Sequence, residues 1–177
     1  DVAELSAQLL GYTPEDLLKW AAKHCPGRAV FATSMGMEDQ VIMDMLMRHS
    51  LDVRVFTLDT GRLFQETYEL IARTEKYYGT KIQLMFPDFR EVEEMVRDHG
   101  IDLFLDSVAK RKACCEIRKL HPLKRALASA DVWICGLRKA QSEARAEVSF
   151  LEWDAGNGLL KLNPLIEWSD ADVRRYV

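Results

Sequence analysis

Short apolar runs alternating with stretches of helical period constrain this 177-residue chain most. RAVFAT (28–33), VRVFTL (53–58), KIQLMF (81–86) and DVWICG (131–136) are too short for buried helices and rich in branched or aromatic residues, so they read as strands. Helical patterns fall between them. Thr13 with Pro14, Glu15 and Asp16 opens a helix whose apolar face carries Leu17, Leu18, Ala21 and Ala22. A second helix runs to about Arg48, and Leu63, Thr67, Leu70, Ile71, Thr74 and Tyr78 mark a third. Helices are expected over about 88–98 and through 108–128, an edge strand over EVSFLEW (147–153), and a last helix capped by Ser169. This alternation predicts an α/β fold, a doubly wound and mainly parallel sheet with helices on both faces. The length suits a single domain, 1–177, with no repeat or linker dividing it.

A net charge of −4 argues against general nucleic-acid binding, and no apolar run approaches a membrane span. Cysteines at 25, 114, 115 and 135 do not make a secreted disulfide framework in a chain of this size, and no signal-peptide pattern opens it. A cytoplasmic location with reduced thiols is expected. The start at Asp1 and the stop at Val177 inside a helical pattern lead us to expect natural sequence beyond these ends. Cys25, Cys135 and the methionines at 43, 45 and 47 read as packing residues, as do Trp20, Trp133, Trp153 and Trp168. His24, His49, His99 and His121 are scattered without ligand spacing.

In an open α/β sheet, ligands bind where strands deliver their C-terminal ends. The first strand runs into TSMGMEDQ (33–40), where Thr33 and Ser34 offer hydroxyls, Gly36 permits close approach and a helix N-terminus follows. The loop is neither a Walker loop nor GxGxxG. It reads as an anion cradle or as an ordinary turn capped by Ser34, with Glu38 and Asp39 favouring the helix start. LDTGRLFQET (58–67) ends the second strand, with Leu58 and Thr60 at its tip, a bend at Gly61 and the guanidinium fork of Arg62. CGLRKAQSEAR (135–145) ends the fourth, with room at Gly136 and charge on Arg138, Lys139 and Arg145. Cations at several strand tips of one sheet point to a bound polyanion, a nucleotide. Cys114 and Cys115 lie in the basic run KRKACCEIRK (110–119). A disulfide between neighbours is strained, so the pair reads either as half-buried packing thiols or as thiolates suited to a soft metal or redox chemistry.

These motifs resemble, in family order, those of the sulfonucleotide reductases. TSMGMEDQ is similar to their modified pyrophosphatase-type loop, LDTGRLFQET to their LDTGR segment and GLRKAQSEAR to their arginine loop. KRKACCEIRKLHPLKRAL (110–127) resembles the cysteine-pair region of the adenosine 5′-phosphosulfate reductases. The resemblance implies a fold like that of adenine-nucleotide alpha hydrolases and thioredoxin-dependent reduction of adenosine 5′-phosphosulfate to sulfite and AMP, in sulfate assimilation. It implies that Ser34, Gly36, Leu58, Thr60, Arg62, Lys119, Gly136, Arg138 and Arg145 line the substrate site. Cys114 and Cys115 would be two of four ligands to a 4Fe-4S cluster, with Lys119 between cluster and substrate. The remaining ligands, a CxxC, and the nucleophilic cysteine of a mobile tail would lie beyond Val177, so this chain carries no catalytic residue of its own. In the implied mechanism the tail thiolate attacks the sulfate sulfur, AMP leaves, and thioredoxin frees sulfite from the resulting S-sulfonate.

Three other readings stay open: reduction of the 3′-phosphorylated substrate, whose reductases characteristically lack the cysteine pair; an ATP-pyrophosphatase-type adenylating enzyme, whose SGGxDS loop would here have lost a glycine and a serine; and a non-catalytic iron–sulfur or zinc module. Self-association is left open as well.

Overall fold

The computed structural model describes residues 1–177, and all six strands belong to one sheet. Helices α1 (Val2–Leu9) and α2 (Pro14–His24) precede β1 (Ala29–Ala32), α3 (Met37–Arg48), β2 (Arg54–Leu58), α4 (Gln65–Tyr78), β3 (Gln83–Met85) and α5 (Phe89–His99). A helical run follows as α6 (Val108–Cys115), a π segment (Glu116–Leu120) and α7 (His121–Leu127). β4 (Val132–Ile134), β5 (Leu151–Asp154), β6 (Leu159–Leu162) and α8 (Asp170–Tyr176) complete the chain. The strand order is β3-β2-β1-β4-β6-β5; every neighbouring pair is parallel except β5 with β6.

Side chains of one strand alternate between the two faces, so β1 divides its residues between two cores. Phe31, with Val55 and Ile134 of neighbouring strands, packs against Val41, Ile42 and Leu46 of α3. Val30 and Phe56 turn to the other face and meet Ala126 and Leu127 of α7. The predicted doubly wound arrangement is present. Helix starts fall where local chemistry satisfies free N–H groups: Thr13 and Ser169 make reciprocal capping boxes with Asp16 and Asp172, and Asp88 accepts from Arg90 and Glu91 at the start of α5.

Three elements differ from the sequence-based expectation, the first being α1, a helix not anticipated ahead of Thr13. The expected single helix over 108–128 contains the π segment, a widened turn within the run that carries the cysteine pair. The sheet also has a strand not anticipated, β6, which inserts parallel to β4 and pushes β5 to the edge. The link is a tight turn in which Asp154 accepts from Asn157 and Gly158 adopts φ +65°.

Candidate functional site

β1 leads to β2 and β3 on one side of the sheet, while β4 and its neighbours lie on the other. The order therefore reverses at β1, where an open α/β sheet opens a crevice at its strand ends. A cavity of about 310 Å³ lies there, with Ser34 on the first loop, Leu58 and Thr60 on the second, Lys119 from the π segment, and Leu123 and Trp133 completing apolar walls. Trp133 is thus part of the cleft wall and not only core; Lys161 sits over its ring at 4.8 Å.

The first loop is tightly tied. Thr33 Oγ1 accepts from Met35 N–H at 3.0 Å, and Met35 is buried with φ +66°, a region that side-chain-bearing residues seldom occupy. Ser34 donates both its N–H and its hydroxyl to Asp39 Oδ2, each at 2.7 Å. Asp39 is only 5% exposed; burial pushes its carboxyl above the usual range, and the two Ser34 bonds pull part of the way back. Gly36 opens α3 without a side-chain cap, and a methyl on it would come within 3.2 Å of Glu38 Oε1 and 3.6 Å of Ser34 Oγ.

In the second loop Asp59 accepts from Gly61 N–H and from the Tyr68 hydroxyl, and Gly61 turns at φ +77°. Arg118, only 7% exposed, donates to the Thr60 carbonyl at 2.7 Å, while its Nε has no partner and its charge faces no carboxylate. A buried cation without a counter-charge is costly, and a bound anion nearby would offset that cost. Arg62 turns from the cleft: it donates to Ile101 O and Asp102 Oδ1 and lies over the Phe104 ring.

A second hollow of about 260 Å³ adjoins the first. Cys114 and Cys115 line it with Arg62, Arg111 and Arg118, and it shares Thr60 and Lys119 with the cleft. Cys114 also packs on Met95 and Leu103. Two thiols cannot complete an ordinary four-thiolate iron–sulfur site, and no group of three or more Cys, His, Asp or Glu side chains is placed so that it could hold a metal ion. Cys135 is buried elsewhere, its thiol pushed up by burial, and Cys25 packs at the edge of the main core.

Gly136, Arg138 and Arg145 lie behind the first loop, outside the cleft wall. A methyl on Gly136 would overlap Asp39 Oδ1. The Arg138 side chain, 8% exposed, donates to Asp170 Oδ1 at 2.8 Å and approaches Glu38 at 3.8 Å. Arg145 donates to Gln141, which donates in turn to Glu38. The structure thus gathers Ser34, Leu58, Thr60 and Lys119 around one cleft and Arg62 with the cysteines around its neighbour. It joins Gly36, Gly136, Arg138 and Arg145 to them through Glu38 and Asp39. The sequence reading missed Asp39, Arg118 and Trp133 as site residues.

Comparison with known proteins adds a family, two relatives and two solved structures. The family model "Phosphoadenosine phosphosulfate reductase domain" matches residues 28–177. The chain is 51% identical over 148 residues to an adenosine 5′-phosphosulfate reductase of Allochromatium vinosum, covering 84% of this chain and 58% of that protein. It is 44% identical over 177 residues to one of Agrobacterium fabrum, covering all of this chain and 68% of that protein. The chain therefore spans about three fifths to two thirds of these relatives' length. Among solved structures, a phosphoadenylyl-sulfate reductase from Candida auris superposes with TM-score 0.82 at 26% identity, over 99% of this chain and 83% of that one. An NH3-dependent NAD synthetase from Campylobacter jejuni shares the fold, with TM-score 0.60 at 10% identity over 99% of this chain and 72% of that one.

Proposed function

Because the chain belongs to the phosphoadenosine phosphosulfate reductase domain family, we propose that it is the substrate-binding part of an adenosine 5′-phosphosulfate reductase. It would act in sulfate assimilation, releasing sulfite and AMP with thioredoxin as reductant. The supporting observation is Lys119, which stands in the wall common to the cleft and the cysteine-lined hollow. A nucleotide in the cleft would lie along Thr60 and the apolar walls, its sulfate toward Lys119 and the buried charge of Arg118. Fixed cations there stabilise charge that develops on the departing phosphate. Gly136, Arg138 and Arg145 would shape the first loop from behind. The attacking thiolate would come from a segment outside residues 1–177, as in the mechanism that the resemblance implies.

Cys114 and Cys115 would supply two of the thiolates of a 4Fe-4S cluster, whose bound chemistry would be to place a compact charge beside Lys119. The site is one unit, 1–177, in a cytoplasmic setting that keeps thiols reduced. No helix is long and apolar enough to cross a membrane.

Titration calorimetry with AMP, adenosine 5′-phosphosulfate, its 3′-phosphorylated form and ATP with magnesium tests the reading. Adenosine 5′-phosphosulfate is expected to bind best; preference for ATP with magnesium would replace the proposal by an adenylating enzyme. In a protein that also carries the implied tail cysteine, Lys119→Ala is expected to lower turnover by about a hundredfold or more, the scale of losing one preorganised electrostatic contact.

A further inference from the structure

Ser34 has two donors, its backbone N–H and its hydroxyl, and one oxygen, Asp39 Oδ2, accepts both at 2.7 Å. A hydroxyl carries one proton and two acceptor lone pairs. With that proton committed to Asp39, the Ser34 oxygen keeps only acceptor capacity for the cleft it lines. An oxyanion needs donors and finds none on this residue.

We propose that Asp39 is a positioning residue that makes Ser34 an acceptor, so that this corner of the cleft takes a neutral donor of the nucleotide, a ribose hydroxyl or the exocyclic amine, and not its phosphate or sulfate. The inference rests on the function proposed above and assigns Ser34 to the nucleoside end of that ligand. Three features hold the arrangement. Asp39 is buried and cannot turn to water. Its Oδ1 occupies the space that a side chain at Gly136 would fill, so the fourth strand-end loop closes over the carboxyl. Met35 and Thr33 fix the backbone immediately before and after Ser34 through the Thr33 Oγ1 contact. Asp39 accepts through Oδ2 whether or not a proton resides on Oδ1, so the commitment of Ser34 holds in both ionisation states.

Calorimetry with AMP, 2′-deoxy-AMP, 3′-deoxy-AMP and inosine monophosphate tests this, each analogue lacking one donor group, with inorganic sulfate and phosphate as anion probes. The unaltered protein is expected to bind one analogue about tenfold more weakly than AMP, the worth of one hydrogen bond. Ser34→Ala should bind AMP as weakly as that analogue, lose nothing further with it, and bind the inorganic anions as before. Asp39→Asn retains an acceptor oxygen and should stay within about threefold of the original, while Asp39→Ala should reproduce the Ser34→Ala pattern. If Asp39→Ala does not fold, the Ser34→Ala comparison decides alone. Weakened sulfate or phosphate binding in Ser34→Ala, with the nucleotide ratios unchanged, overturns the inference and leaves the proposed function standing. No binding of AMP by the unaltered protein overturns both.

Discussion

Gly136 has no side chain because Asp39 is already there. Its methyl would overlap Asp39 Oδ1 and come within 3.3 Å of Glu38 Cγ. Gly136→Ala is therefore expected to cost about 1–3 kcal/mol, as overpacking of a filled interior does, read as a lower urea midpoint at unchanged slope. The same variant should weaken AMP binding, since Asp39 must move and release Ser34; intact stability with intact binding would refute the contact. Ser34 and Thr60 stood out in the sequence as hydroxyls at strand tips, whereas Lys119, in the π segment, stood out only through the family resemblance. Asp39 did not, since an acid in the first turn of a helix is equally explained by the helix dipole. Arg138 and Arg145 were legible as charges, whereas their partners Glu38, Asp170 and Gln141 become neighbours only through the fold.

The π segment between α6 and α7 places Cys114 and Cys115 on one hollow while Lys119 reaches both. Successive residues of an α-helix are turned by about 100°. Removing the exposed Glu116 should return the run to α-helical spacing and rotate the cysteines relative to Lys119 by about that angle. Circular dichroism should stay helical, while affinity for adenosine 5′-phosphosulfate should fall about tenfold, the scale of one lost charged contact. Unchanged affinity would show that the widened turn has no part in the site. The sequence could not reveal it, because EIRKL satisfies an ordinary helical pattern as well. The four main strands were found to within two residues, since β-branched and aromatic runs bounded by turns have few other uses. β6 escaped because LLKL lacks alternation, although the turn residues Asn157 and Gly158 ahead of it did carry a hairpin signal.

At the scale of the whole molecule, Asp44 of α3 fastens distant parts of the chain, accepting from Tyr78 of α4, Tyr176 of α8 and Arg48. Burial alone would raise its carboxyl, but the hydrogen bonds from Tyr176 and Tyr78 and the Arg48 charge together hold it below the usual range. A folded pKa below the unfolded one gives stability that is present above the unfolded value, about 3.9, and lost as pH falls through the folded value. Urea midpoints of the unaltered protein should therefore drop across that acid window, and Asp44→Asn should flatten the fall; parallel curves for the two would exclude the linkage. The cleft itself lies on the seam where the β1–β2–β3 side of the sheet meets β4, and the two sides touch there through Asp39 and Gly136. These two positions are consequently not free to drift separately. In descendants of this sequence, a larger residue at 136 is tenable only once 39 has shrunk, so inheritance should carry the two as a pair, and a mismatched combination should be rare wherever the cleft is still in use.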